Sequence, residues 1–223
     1  MKKIILALIL TAVLFFLFNN ILGEVIVKEN FLAFMLKNGN YLFNLINKEN
    51  TILQYAPNDL VELYSLNAPG KYIRFPVFLD LALLMDKAYR DGAPLKIISA
   101  YRSYETQKGL FAFYKKRDEN AARFSAEAGH SEHQMGAAID FGTGDSYIDL
   151  TAAFAKTKQG KWLEENAWKF GFALSYPEGK EEITGYQYEP WHYRFIGREA
   201  AKEWRDSGLI LQEFLSQKKQ DYF

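Results

Sequence analysis

Apolar and polar positions follow three regimes along this chain. The first is a nearly unbroken apolar run. Fifteen residues from Ile4 to Phe18 include one polar side chain, Thr11, and follow Met1-Lys2-Lys3. Lysines ahead of such a run predict a secretory signal or a signal anchor. The run falls short of the roughly 20 residues of a membrane span, but Asn19, Asn20, Ile21 and Leu22 would extend it to that length. No clear small-x-small cleavage site follows, which favours an uncleaved anchor over a cleaved signal. A buried core helix is the remaining reading. Residues 1–23 are therefore set apart as a signal anchor or signal peptide, 24–43 as a linker or arm, and 44–223 as the folded domain. Either export reading places that domain outside the cytoplasm.

The second regime, Glu24 to about Gln54, mixes apolar and polar residues. Its Asn38-Gly39 pair, between Phe31–Leu36 and Tyr41–Ile46, predicts a hairpin. Asn44 through Val61 reads as a structural arm packing on the core. Periodic segments make up the third regime. Val77, Leu81, Leu84, Met85 and Ala88 recur at helical spacing, predicting a core helix over Pro76–Arg90 with Gly92 at its exit. Leu95–Ala100 alternates and is β-branched, as a strand does. Ser103 is placed to cap a helix from Tyr104 to Lys116. Arg117–Ala128 reads as a loop or short helix and Ala137–Phe141 as a strand. Gly142–Ala155 is a loop whose Asp145 and Asp149 lack EF-hand spacing. A helix over Lys161–Phe170 closes at Gly171, with Trp162, Leu163 and Ala167 inward. A strand over Phe172–Tyr176, a charged loop over Pro177–Gly185 and a strand over Trp191–Ile196 follow. Last come a helix over Arg198–Asp206 and a frayed polar tail at Lys218-Lys219-Gln220. Helices and strands in this order predict an α+β fold with an antiparallel core.

Composition narrows the functions. With 223 residues, 49% hydrophobic and 16% aromatic, the chain is long and apolar enough for one substantial core. Lys+Arg equals Asp+Glu at 27 each, so no electrostatic footprint for nucleic acid is evident and no nucleic-acid partner is expected. The absence of cysteine removes disulfides, thiolate ligands and a cysteine nucleophile.

The candidate chemistry lies in two places. Gly129–Phe141 holds two of the three histidines, His130 and His133, and also Asp140; the third, His192, follows Glu189-Pro190-Trp191. A catalytic zinc takes three ligands of the His/Asp/Glu kind and leaves a position for water, which a nearby free carboxylate can deprotonate. His133, Asp140 and His192 suit the first task and Glu189 the second. In a strand, residues seven apart point to opposite faces, so His133 and Asp140 share a metal only if the chain bends; Gly136 permits that. By spacing alone, three histidines at unrelated places are an equally good reading. Arg102, at a strand-to-helix junction, has the guanidinium geometry to grip a carboxylate, or to form a surface salt bridge.

The residues also carry a resemblance. Ser131-x-His133-x-x-Gly136-x-Ala138-x-Asp140 followed by Glu189-x-Trp191-His192 resembles the signature of zinc peptidases that trim bacterial cell-wall peptides. These are the D-alanyl-D-alanine carboxypeptidases, which include the VanY type and the L,D-carboxypeptidases. The likeness runs from about Asn44 to about Gly197. It includes Ser99-Ala100-Tyr101-Arg102-Ser103-Tyr104-x-x-Gln107, Trp162-Leu163-x-Glu165-Asn166-Ala167 and Tyr176-Pro177-x-Gly179-Lys180. Ala128 stands where the family often has proline, and Met135 where threonine is common.

The resemblance implies a small antiparallel sheet flanked by helices, with the zinc cleft on the sheet, as in hedgehog and D-Ala-D-Ala peptidases. It implies one zinc ion on His133, Asp140 and His192, and Glu189 and Arg102 as catalytic residues. Arg102, Gln107, Ser131 and Tyr176 would bind substrate. The partner implied is a peptidoglycan stem peptide that loses its C-terminal D-alanine; the chain is expected to act as a monomer, and its N-terminal segment to attach it to the membrane or to direct its secretion. His130 is read as supporting or packing, Trp191 as packing, and Arg194 as orienting a ligand or pairing a carboxylate. Competing readings are a D,D-dipeptidase or wall endopeptidase of the same fold, and a non-catalytic zinc-bearing wall-binding module. The intact Glu189-x-x-His192 argues against the last.

Overall fold

The computed structural model describes residues 39–221. Among them no helix is long and apolar enough to cross a membrane. The run Ile4–Phe18 lies outside the described residues, as does the Phe31–Leu36 half of the expected hairpin.

Two antiparallel sheets and six α-helices are found among the described residues. Strands β1 (Leu60–Leu63) and β2 (Ala68–Arg74) form a two-stranded sheet. Helix α1 (Phe75–Arg90) follows directly, with Pro76 in its first turn. It buries Val77, Leu81, Leu84 and Ala88, the stripe its periodicity requires. Strand β3 (Lys96–Ser99) leads into α2 (Tyr104–Lys115), where the Ser103 hydroxyl accepts from the Thr106 amide as an N-cap. Then come β4 (Ala138–Gly142), α3 (Lys158–Asn166), β5 (Phe172–Leu174), α4 (Glu181–Thr184) and β6 (His192–Phe195). Helices α5 (Arg198–Ser207) and α6 (Leu211–Asp221) end the described chain.

The main sheet runs β3-β4-β6-β5, antiparallel throughout. Its central pair sets Ala138 opposite Arg194, Ile139 opposite Tyr193 and Asp140 opposite His192. Because side chains alternate along a strand, Asp140, His192 and Arg194 share one face and Ile139, Phe141, Tyr193 and Phe195 the other. The second face is aromatic: Phe141 meets Phe172 and Tyr193 edge-on, and Phe172 meets Phe195 at 5.2 Å. Each fully buried ring of this kind stabilises the fold by roughly 1.5–3 kcal/mol. Ala200, Ala201, Leu211, Phe214 and Leu215 of α5 and α6 close a further cluster with Ala173 and Ile196.

The architecture is the α+β fold expected, with local corrections, among them the short helix α4 within the charged loop expected over Pro177–Gly185. Gly39–Phe43 is a 3-10 turn, so Tyr41–Ile46 is not the second strand of a hairpin. Tyr41, Leu42 and Ile46 are buried, which reflects packing of the arm and not strand periodicity. The arm expected through Val61 runs into a strand, β1, which pairs with the unforeseen β2. Pro69 and Gly70 mask β2, and a register shift at Glu62/Leu63 accommodates them. The tail is helix α6, held by buried Phe214 and Leu215.

Candidate active site

His133 arrives on a 3-10 turn, Glu132–Met135, that ends at Gly136 with φ +70°. This left-handed residue turns the chain into β4, so His133 and Asp140 face each other despite their spacing. A Cβ at Gly136 would come within 2.9 Å of Arg74 Cγ and 3.1 Å of Leu60 Cδ2. His192 reaches the same point across the sheet, opposite Asp140. A turn closed by the His192 amide on the Glu189 carbonyl brings Glu189 back over it.

The structure brings the three expected ligands together. One ligand atom from each of His133, Asp140 and His192 lies within 4.8 Å of the others, and all three residues are buried. His133 Nε2 is 3.1 Å from Asp140 Oδ2, and His192 Nδ1 is 2.9 Å from Asp140 Oδ1. The outer ring nitrogens are occupied: His133 Nδ1 meets the Ala100 carbonyl at 2.7 Å and His192 Nε2 meets Glu132 Oε2 at 2.9 Å. Two imidazoles thus aim one nitrogen each at a shared carboxylate, a donor set that fits a zinc ion with room for water. Glu189 Oε2 stands 3.9 Å from His192 Nδ1, near the group.

Arg102 sits on the same cavity wall, its Nη2 3.9 Å from Asp140 Oδ2. Its Nη1 donates to Gln107 Oε1 at 2.7 Å and its Nη2 to Ser99 Oγ at 3.0 Å. Gln107 is fully buried and anchors itself on the Ala126 carbonyl, so it holds Arg102 from behind. Ser131 and Tyr176 line the cavity. The Tyr176 ring packs 4.9 Å from the His192 ring. His130 stays apart from the metal group, its Nδ1 on the Asn47 carbonyl at 2.8 Å.

Charges are strongly shaped here. Burial opposes ionisation of Asp140, but His133 and His192 hold it well below the usual carboxylate range. Burial keeps His133 below its ordinary value. His192 goes the other way: burial works against its cation, yet hydrogen bonds to Asp140 and Glu132 push it up to about 10. Burial, reinforced by Asp140 and Glu132 and opposed by His192, pushes Glu189 up to about 8. Burial alone would raise Glu132; the Arg194 guanidinium, with His192 and Ser175, instead holds it at about 2. Tyr176 is kept protonated well above its ordinary range, chiefly by burial.

Glu132 and Ser175 were not singled out by sequence. Glu132 Oε1 accepts from Arg194 Nη1 at 3.1 Å, and its Oε2 accepts from Ser175 Oγ at 2.6 Å. Arg194, read as orienting a ligand or pairing a carboxylate, does pair one. The acidic neighbour of His133 was visible, but its partners Ser175 and His192 lie 43 and 60 residues away, beyond any spacing argument.

A buried His-Asp-His group, a free carboxylate beside it and a guanidinium across the cavity define a metallohydrolase site. The family model described as VanY, D-alanyl-D-alanine carboxypeptidase, matches residues 70–198, and the chain belongs to that family. It is 31% identical over 189 residues to the D-alanyl-D-alanine carboxypeptidase of Enterococcus faecium, covering 84% of this chain and 58% of that one. Among solved structures, the LdcB LD-carboxypeptidase, a protein that recognises peptidoglycan, matches with a TM-score of 0.70 at 36% identity. The match covers 78% of this chain and 86% of that one. The vancomycin-resistance D,D-pentapeptidase VanY, solved as a glutamate-to-alanine mutant in complex with Zn(II), matches with a TM-score of 0.67 at 33% identity, over 78% and 99% of the two chains. This protein is therefore a zinc carboxypeptidase of the VanY kind, and zinc is the ion its His-Asp-His group suits.

Proposed function

We propose that the chain removes C-terminal D-alanine from peptidoglycan stem peptides, using one zinc ion held by His133, Asp140 and His192. The observation that carries this reading is the braced guanidinium of Arg102, 3.9 Å from a ligand carboxylate in the same cavity. A substrate with a free C-terminus supplies the anion that such a group binds through two hydrogen bonds. Its last peptide bond then lies next to the metal group. An endopeptidase substrate offers no terminal carboxylate there.

The roles follow from position. Arg102, with Gln107 behind it and Ser131 on the same cavity, seats the terminal carboxylate. When bound, zinc polarises the scissile carbonyl and acidifies water. Glu189 would take a proton from the attacking water as its oxygen bonds to the scissile carbonyl carbon, and give that proton to the D-alanine amine as the C–N bond breaks. Tyr176, kept protonated, offers its hydroxyl as a hydrogen-bond donor to the peptide. The substrate lies outside the cytoplasm, and the run Ile4–Phe18 behind Lys2-Lys3 supports export with attachment through the N-terminal segment. One chain supplies every group of the site, which supports action as a monomer.

The test is incubation of the zinc-loaded protein with two stem peptides, a pentapeptide ending D-Ala-D-Ala and a tetrapeptide ending in one D-Ala. Products are followed by mass. Loss of a single alanine from either supports the proposal, and which peptide loses it separates D,D- from L,D-action. Release of intact D-Ala-D-Ala, or cleavage of neither peptide with zinc bound, contradicts it. Export is tested by the accessibility of the domain to protease added outside intact cells.

A further inference from the structure

Glu132 precedes His133 in the chain, yet its carboxylate serves the other histidine. Oε2 meets His192 Nε2 at 2.9 Å and also accepts from Ser175 Oγ at 2.6 Å, while Oε1 accepts from Arg194 Nη1 at 3.1 Å. All four side chains are buried, Arg194 completely. The far side of Arg194 is fixed too. Its Nη2 donates to the carbonyls of Tyr41, Leu42 and Asn44 at 3.2, 3.2 and 2.9 Å.

Buried ion pairs are a poor means of gaining stability, because taking both charges out of water costs about what their attraction returns. What this pair touches gives it a different use. A carboxylate on the outer nitrogen of a ligating imidazole fixes the tautomer and the ring plane and makes the inner nitrogen a better donor. Here the outer nitrogen is Nε2, so a proton is held there, and Nδ1, which meets Asp140 Oδ1 at 2.9 Å, is the nitrogen left for a metal. His133 is held separately, by the Ala100 carbonyl on its Nδ1. The two rings therefore have independent ties, and only that of His192 depends on an ionised side chain.

We propose that Glu132 is a positioning residue for the metal ligand His192. Arg194 holds it in place, and through Arg194 so does the backbone of residues 41–44. The inference rests on the zinc reading of the site and concerns how the ion is held, not the bond-breaking step. It follows that the arm entering the domain is mechanically tied to a metal ligand.

Glu132→Gln isolates the effect. The amide has one acceptor, whereas Arg194 on one side and Ser175 with His192 on the other all present donors. Whichever way it turns, an N–H₂ group faces another donor, and either Arg194 or His192 loses its partner. Ser175→Ala is milder: it keeps the carboxylate and its Arg194 pair and removes one hydrogen bond.

The experiment uses the full chain, freed of metal and then titrated with zinc in competition with a chromophoric chelator. A second portion is loaded with cobalt(II), whose visible absorption reports ligand geometry. Far-UV circular dichroism checks the metal-free fold. The expected result is zinc binding about 10–100-fold weaker in Glu132→Gln, a smaller loss in Ser175→Ala, and an altered cobalt spectrum at full occupancy in Glu132→Gln. A merely structural role would leave that spectrum unchanged. Wild-type zinc affinity and spectrum in a folded Glu132→Gln would overturn the proposal. Should Glu132→Gln not fold, Glu132→Asp takes its place: it keeps the charge but draws the carboxylate back from His192 Nε2, and wild-type affinity and cobalt spectrum in it would overturn the proposal. Failure of the wild-type protein itself to bind zinc would instead sink the zinc reading on which it stands.

Discussion

As a zinc ligand, the role proposed for it, His192 would lose a proton on binding metal. In the metal-free protein its hydrogen bonds to Asp140 and Glu132 hold it up to about 10, so near neutrality the ring is a cation. A metal would take the neutral ring. Binding therefore releases a proton, and apparent zinc affinity rises by about tenfold per pH unit for each proton displaced, until pH reaches the His192 value. Calorimetry of zinc binding at pH 7 in buffers of different ionisation heat should show about one proton or more released; none would place the ligating ring in its neutral form already. Glu189 has the other half of the pH dependence. Burial pushes it up to about 8 without metal, and a nearby dication favours its ionised form. A base works only when deprotonated, so kcat/KM should fall on the acid side, with that limb below pH 8. Glu189→Gln should retain zinc and lose roughly 10²–10⁴ in kcat, whereas His133→Ala should lose the metal. Near-normal turnover in Glu189→Gln would give the proton transfer to another group. At this scale the sequence was informative where residues recur in one short pattern. His133, Asp140 and His192 stand in such a pattern, as do Glu189 and Arg102. Glu132 does not, because its meaning comes from Ser175, His192 and Arg194, which only the folded sheet brings near.

Among the elements, the short turn over Glu132–Met135 decides whether a site exists. Gly136 ends it in the left-handed region, and the space for a side chain is taken by Arg74, Leu60 and Pro57. Gly136→Ala should therefore cost about 1–3 kcal/mol from backbone strain alone. The expected result is a melting temperature lower by several degrees and weaker zinc binding, since the same turn delivers His133. An unchanged melting temperature and zinc affinity would remove the bend from the account. Elements with a full period of burial were readable in advance: α1 through Val77, Leu81, Leu84 and Ala88, and β4 and β6 through the alternation of Ile139 and Phe141, and of Tyr193 and Phe195, with polar residues. Helix α3 was placed a few residues late, because its start is set by the Thr157 hydroxyl accepting from the Gly160 amide and not by an apolar residue. β2 was hidden by Pro69 and Gly70. α6 carries a polar end, Lys218-Lys219-Gln220, that hides the buried stripe of Leu211, Phe214 and Leu215. The 3-10 turn at Gly39–Phe43 had no local signal, since carbonyls of this arm are held by Arg194, about 150 residues away.

For the molecule as a whole, the central strand pair does most to make function follow from fold. It puts Asp140 opposite His192, places Arg194 two residues on along the same face, and gives the opposite face to aromatic packing. The order and type of elements in the main sheet were legible, and so was the gathering of His133, Asp140 and His192. The pairing order β3-β4-β6-β5 was not, because non-neighbouring strands find one another through tertiary packing alone. The central claim is that this sheet builds a carboxypeptidase, an enzyme that requires a free C-terminus because Arg102 must hold it. The measurement that tests this most directly compares kcat/KM of the zinc-loaded protein on one stem peptide with a free terminal carboxylate and on the same peptide amidated there. Hydrogen bonds between charged groups contribute about 1.5–3 kcal/mol, so the account predicts a loss of roughly 10- to 150-fold on amidation. It also predicts that Arg102→Met loses activity on the free acid and discriminates little between the two peptides. Equal cleavage of acid and amide by the wild-type protein would contradict the account and turn it toward an endopeptidase.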